Sequence, residues 1–136
     1  MAKLHLEVVT PDRVVVSGEV DMVVAPGSEG EFGILPGHAP FLSGIVPGEL
    51  RYTVGTEKTS LSVTGGFAEV SNNRMSVLVD ASEKATEIDV ERAQRALDRA
   101  KERLAHDRKE KEIDFQRAEW ALKRAITRIR IVEKNQ

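Results

Sequence analysis

The sequence predicts an α+β protein: an antiparallel β sandwich over residues 1–84, followed by an antiparallel two-helix hairpin over 85–136. Three observations carry this. Through residue 80, apolar residues alternate in short runs with period 2, and Gly, Pro and Asn break the runs. Beyond it, apolar residues recur at steps of three and four, the spacing of one helical face. The charge changes sign at the same place. Residues 1–80 carry 5 basic and 10 acidic side chains, a net of −5, and residues 81–136 carry 15 basic and 12 acidic, a net of +3.

Leu4, Leu6 and Val8 alternate with Lys3, His5 and Glu7, as in a strand with one buried face. Thr10-Pro11-Asp12 marks a turn. Residues 14–16 are β-branched and extended. Val20, Met22 and Val24 form a further alternating set, closed by Pro26-Gly27. Next comes GEFGILPGHAPFL, residues 30–42. Gly30, Gly33, Gly37, Pro36 and Pro40 exclude a regular helix or a central strand. Phe32, Ile34, Leu35, Phe41 and Leu42 are too apolar for a disordered linker. The segment is therefore read as an ordered loop, either a plug of the core or a docking surface. As a docking surface it offers Glu31, Phe32, Ile34, Leu35, His38 and Phe41, apolar anchors with polar tips. Pro47-Gly48 opens a strand over 50–54, and 55–58 is a polar turn. Leu61 and Val63 lead to Gly65-Gly66, a bulge or tight bend, then to a strand over 67–70. Asn72-Asn73 suits a hairpin turn because Asn tolerates positive φ. Residues 77–79 close the set.

Residues 89–104 and 114–132 read as helices. Either Thr86 opens a capping box or Asp89 caps; Asp89 is preferred, because the small-residue rhythm begins just after it. Ala93, Ala96, Leu97, Ala100 and Leu104 share a face of the first helix. Phe115, Ala118, Leu122, Ala125, Ile129 and Val132 form a heptad-type seam on the second. The link, 106–112, is almost wholly charged. Alanine seams let the helix axes approach closely but bury little apolar area, at about 25 cal/mol per Å². The hairpin should be marginal alone and depend on docking to the sandwich or to a partner.

There is no cysteine, so disulfides, thiolate catalysis and cysteine metal sites are excluded. No apolar run approaches the roughly 20 residues needed to cross a bilayer, and MAKLHLEVV lacks a signal-peptide core. A net charge of −2 gives no footing for nucleic acid. His5, His38 and His106 lie in different elements, and no hydrolase elbow, dinucleotide fingerprint or phosphate-binding loop is present. No catalytic residue and no metal site is expected.

One arrangement stands out. Arg92, Arg99 and Arg103 step by 7 and 4 in the first helix; Arg117, Arg124 and Arg128 do the same in the second. Each set lies on one helical face. Converging guanidinium groups suit a polyphosphate. The alternatives are a solvated face paired with Glu91, Glu102 and Glu119, and docking to acidic protein surfaces.

GEFGILPGHAPFLSGIVPGEL at 30–50, SVTGGFAEV at 62–70 and the charged helix pair closely resemble the epsilon-subunit family of the F-type ATP synthases. The resemblance spans nearly the whole chain. It implies a non-catalytic rotor subunit whose sandwich binds the gamma subunit and touches the c-ring. The hairpin either folds against the sandwich or extends along gamma toward the alpha and beta subunits, restraining ATP hydrolysis. The extended state makes Arg103 and Arg117 candidates for the inhibitory contact. Some bacterial members bind ATP through an Ile/Leu-Asp-x-x-Arg-Ala motif, matched here by Ile88, Asp89, Arg92 and Ala93. Glu83, Arg99, Arg124 and Arg128 fall where further nucleotide contacts are expected. The implied setting is the cytoplasmic face of a bacterial cell membrane, reached only through the complex. No cofactor is required; ATP is a regulatory ligand. The rival reading is a free-standing ATP-sensing binding protein.

Overall fold

The computed structural model describes residues 3–106 and 112–134, with the side chains of 3–105 and 116–134. Ten strands precede two helices: β1 (Leu4–Val9), β2 (Val14–Val20), β3 (Met22–Gly27), β4 (Gly30–Ile34), β5 (Phe41–Ile45), β6 (Gly48–Val54), β7 (Glu57–Val63), β8 (Gly66–Ser71), β9 (Arg74–Val79), β10 (Ser82–Lys84), α1 (Val90–His106) and α2 (Glu112–Lys134). One continuous sheet runs β10-β7-β6-β3-β5-β8-β9-β1-β2, with β4 paired to β3. The pairings are antiparallel except β1 with β9, which is parallel. The sheet folds over until β2 lies near β6 and β10. This encloses a core of Leu4, Leu6, Val8, Leu50, Leu61, Val63, Met75 and Val77, with Phe32 and Tyr52 packed at its margin.

β1 keeps its predicted alternation, because Leu4, Leu6 and Val8 are all buried. The set Val20, Met22, Val24 does not hold. Val20, Val23 and Ala25 are buried and Met22 is exposed. Asp21 stands between the strands, with its N–H on the Thr53 carbonyl (2.8 Å) and its carboxylate on the Gly55 N–H (2.7 Å) and Lys3. One residue is spent there, so the inward phase slips by one.

The ordered loop is also shorter than predicted. Residues 30–34 form β4 and 41–45 form β5, leaving only 35–40 as loop. The glycines are tolerated because β4 is an edge strand, and Pro36 and Pro40 fall between strands. Gly30 (φ 118°) turns the β3–β4 hairpin, and Gly37 (φ 85°) donates its N–H to Asn73 Oδ1 at 2.6 Å. Asn72 and Asn73 take φ of 51° and 58°, as a tight hairpin requires. Gly65-Gly66 is not a bulge: β8 and β9 pair in unbroken register, and the shift lies between Val8 and Val9. Gly66 is instead a place of close approach, where a Cβ would strike the Leu78 carbonyl oxygen.

β10 and a single 3₁₀ turn (Ala85–Glu87) connect the sandwich to α1, and neither was predicted. Asp89 caps α1: its Oδ1 accepts the Arg92 N–H at 3.1 Å, and its carbonyl the Ala93 N–H at 3.0 Å. Both helices run slightly beyond their predicted ends. The predicted link, 106–112, lies largely outside the described residues, as does the side chain of Phe115. Ala93, Ala100, Ala118 and Ala125 are buried where α1 and α2 meet, while Leu97, Leu122, Ile129 and Val132 are half-buried. Ile131, off the predicted seam, has 0% exposure. α2 therefore has two packing faces, one on α1 and one on β6 and β7 of the sandwich.

Candidate functional site

The fold brings the motif residues to one place. β10 carries Glu83 to the edge of β7, and the 3₁₀ turn then sets Ile88 as a buried anchor below the start of α1. Arg92 and Ala93 open α1, and α2 returns Arg128 to the same level. Glu83, Glu87, Ile88, Asp89, Arg92, Ala93 and Arg128 line a cavity of about 150 Å³. Next to it, Ala96, Arg99, Ala100, Arg103, Ala121, Arg124, Ala125 and Arg128 line a second cavity of about 240 Å³. Arg128 belongs to both. All eight nucleotide candidates thus face one or other of two adjoining cavities. Alanine forms the floor of the second, because only a small side chain lets the helices approach closely and still leave space.

The two cavities differ in charge. The first holds three carboxylates and two guanidinium groups. The second holds four guanidinium groups and no carboxylate among the described residues. Such a polarised groove suits a ligand with hydrogen-bond donors at one end and several negative charges at the other. One Asp89 oxygen serves the helix cap. Arg128 Nε stands 2.7 Å from Glu83 Oε1, yet its N–H is not directed at that oxygen, so the contact is an ion pair and not an aligned hydrogen bond. Among the described residues the stripe arginines make no pairs with Glu91, Glu102 or Glu119. Arg103, read from the sequence as a member of the first stripe and as a candidate inhibitory contact, lines the second cavity; Arg117 lies with Trp120 on an open groove toward the helix tips.

Sequence reasoning missed Glu87, whose partner lies 74 residues away. Both Glu87 oxygens accept from Arg13, at 2.8 and 3.0 Å, and Oε1 also accepts the Lys84 N–H at 2.9 Å. Arg13 in addition reaches the Ser82 carbonyl at 3.3 Å. This clasp ties the turn before α1 to the β1–β2 corner. The Arg13 guanidinium, and then the Lys84 N–H, lower the Glu87 carboxyl from 4.5 to about 2. A carboxylate depressed on folding stabilises above its unfolded pKa, and that contribution is lost as pH falls from about 4.5 toward 2. Wild type should therefore exceed Glu87→Gln in thermal midpoint at pH 7, and the difference should shrink through this window. A difference independent of pH would mean that the clasp carries no linked proton.

A second charged chain runs Glu31–Arg51–Glu49–Lys134, at 3.0, 3.0 and 3.3 Å, and fastens the end of α2 to β6. Burial raises the Glu49 carboxyl, but Arg51 and Lys134 outweigh it and hold the group below its ordinary value.

The docking candidates divide. Ile34 is 1% exposed and belongs to the core, so it is corrected from docking anchor to core residue. The reason is the β4 pairing, which aims it inward opposite Val23. Phe32 packs on the core margin and meets Phe41 edge-to-face with ring centroids 5.1 Å apart. Leu35 and Phe41 are exposed, and Glu31 is held by Arg51. His38 stacks edge-on to Phe41 at 5.7 Å and donates to the Ala39 carbonyl at 2.7 Å. Leu42 and Met22 add exposed apolar surface that was not singled out as docking surface. No described helix is long and apolar enough to cross a membrane.

Residues 3–85 match the family model "ATP synthase, Delta/Epsilon chain, beta-sandwich domain", and residues 86–133 match "ATP synthase, Delta/Epsilon chain, long alpha-helix domain". The chain is 58% identical over 103 residues to the ATP synthase epsilon chain of Carboxydothermus hydrogenoformans, covering 76% of this chain and 77% of that one. It is 54% identical over 102 residues to the ATP synthase epsilon chain of Nitratidesulfovibrio vulgaris strain DP4, covering 75% and 76%. In fold it matches a chain of the Euglena gracilis mitochondrial ATP synthase OSCP/F1/c-ring structure, with a TM-score of 0.77 and 24% identity over 99% of this chain and 82% of that one. A chain of the Tetrahymena thermophila mitochondrial ATP synthase central stalk and c-ring gives a TM-score of 0.57 at 16% identity, over 98% and 96%. With both halves matched and identity above one half to bacterial relatives, the chain belongs to the ATP synthase delta/epsilon chain family.

Proposed function

We propose that this ATP synthase subunit is a non-catalytic part of the central stalk. Its sandwich couples the gamma subunit to the c-ring, and its hairpin restrains ATP hydrolysis under the control of bound ATP. The observation that carries the nucleotide reading is the pair of adjoining cavities joined at Arg128. Glu83 and Asp89 are placed for an amino-bearing base, and Arg92, Arg99, Arg124 and Arg128 for the phosphates. Both helices contribute, so only the closed hairpin presents the site. A ligand shifts such an equilibrium by its differential affinity for the two states, so ATP favours closure. Opening breaks the contacts of Arg128 with Glu83 and of Lys134 with Glu49 and uncovers Ile131, so closure is favoured by ion pairing and burial as well as by ligand. In the extended state Arg103 and Arg117 meet acidic surfaces of the alpha and beta subunits.

The sandwich supports the docking half of the proposal. Val14, Val9, Leu78 and Phe67 follow one another across β2, β1, β9 and β8, and Leu42 continues the band diagonally on β5. Val14, Leu78, Phe67 and Leu42 are exposed, Leu42 at 69%. An apolar band across five strands suits burial against a partner subunit. The complex meets the membrane at its cytoplasmic face, and this chain reaches it only through that complex.

Titration calorimetry tests the nucleotide half. Wild type should give saturable heat with ATP, and Arg92→Ala should weaken binding roughly tenfold or more, the loss of one charge-assisted hydrogen bond. Absence of heat from the wild type at millimolar ATP would end the nucleotide reading and leave the stalk reading standing.

A further inference from the structure

We propose that the indole of Trp120 and the bare backbone of Gly65 form a latch that seats α2 on the sandwich, so that a β-sheet position controls whether the hairpin is docked. A Cβ built at Gly65 would stand 2.7 Å from Trp120 Cζ3 and 3.3 Å from Cη2. Its next neighbour, the Ile45 carbonyl oxygen, is at an ordinary 3.7 Å. The φ of Gly65 lies outside the left-handed region, so its own backbone would accept alanine. What requires glycine here is the ring. Trp120 is 44% exposed, and its covered part lies on this seat.

The seat is rigid. The Thr64 N–H meets the Ala81 carbonyl at 3.1 Å, the Ala81 N–H meets Thr64 Oγ1 at 2.9 Å, and the Asp80 N–H meets the Gly65 carbonyl at 3.3 Å. The ion pairs of α2 with the sandwich lie at its other end, at Arg128 and Lys134. Trp120 is eight and fourteen residues from these, about 12 and 21 Å along a helix at 1.5 Å per residue. Attachment at well-separated points, at Trp120 and at the C-terminal turns, fixes the direction of α2, whereas attachment at the C-terminal turns alone leaves it freer to pivot. The latch therefore also positions Arg124, one helical turn beyond Trp120. The latch does not depend on whether the hairpin takes a nucleotide.

The chain has one tryptophan, so its emission reports on the seat without a label. In the full-length protein, Gly65→Ala should red-shift that emission and raise its quenching by acrylamide. Tryptic cleavage of the arginine-rich hairpin should accelerate roughly fivefold or more, the shift in equilibrium produced by a mild overpacking clash. Trp120→Ala should accelerate cleavage similarly with the β-sheet circular dichroism intact. In a Trp120→Phe background, whose shorter side chain does not reach the seat, adding Gly65→Ala should change cleavage little. Unchanged emission and cleavage in Gly65→Ala, or wild-type cleavage in Trp120→Ala, would overturn the latch. So would an equal effect of Gly65→Ala with Phe at position 120, because the methyl would then act through the sheet and not through the indole.

Discussion

Gly66→Ala should be among the most damaging single-methyl changes in the sandwich, lowering its stability by about 3 kcal/mol, the upper part of the overpacking range. The added Cβ meets backbone: the Leu78 carbonyl oxygen, Val79 Cα at 2.8 Å and the Leu78 carbonyl carbon at 2.9 Å. A flexible side chain can swing aside, but a paired strand cannot. Gly66 faces Val79 and Phe67 faces Leu78 in the β8–β9 ladder, so relief means parting the two strands. For a domain of this size the thermal midpoint should fall by about 12–24 °C. Gly18→Ala is the matched control, because nothing lies within 4 Å of its Cβ position and its φ is not left-handed. It sits in β2 opposite Leu6, where alanine has the better strand propensity. Comparable melting of Gly66→Ala and Gly18→Ala would show that the β8–β9 spacing is looser than described.

Arg128→Ala should reduce ATP binding more than loss of any other single stripe arginine. Its guanidinium lines both cavities and is half-buried beside Glu83. Loss of a charged hydrogen bond costs about 1.5–3 kcal/mol, a weakening of roughly 10- to 150-fold. The variant also removes the Glu83 contact that helps hold α2 on the sandwich, so the binding-competent closed state becomes less populated and the two losses act in the same direction. Arg130→Ala provides the control. Arg130 lies two residues along the same helix, carries the same charge, is exposed and lines neither cavity. A purely long-range effect of charge would weaken both variants alike. A site formed by the groove would leave Arg130→Ala at wild-type affinity. Equal affinities for wild type and Arg128→Ala would remove the shared wall of the groove from the proposal.

Local features account for what was legible beforehand. Leu4, Leu6 and Val8 alternate because a strand with one buried face needs nothing else, and they are buried as read. Asn72-Asn73 and Asp89 were legible because a positive φ and a helix cap each need a particular short polar side chain at a particular place. The arginine spacing of 7 and 4 placed each stripe on one helical face from the geometry of 3.6 residues per turn alone. Failures appeared where a neighbour distant in sequence decided the outcome. Met22 faces outward because Asp21 is held by Lys3 and Gly55. Ile34 faces inward because β4 pairs with β3. The second face of α2, with Ile131 and Trp120, was not legible because the alanine seam already satisfied the helical pattern.

By itself the sequence determined the two-part fold, the positions of most strands and both helices, the cap of α1 and the alignment of arginines along one face of each helix. These depend on periodicity, backbone preference and charge within a few residues, which the chain carries locally. Only the tertiary structure decided that both stripes share a groove at Arg128, that Glu87 clasps Arg13, and that Gly65 and Gly66 are needed for different reasons. One is covered by an indole and the other by a neighbouring strand, although both read as the same glycine pair. Each of these depends on what long-range folding places opposite a residue, and no local pattern specifies that.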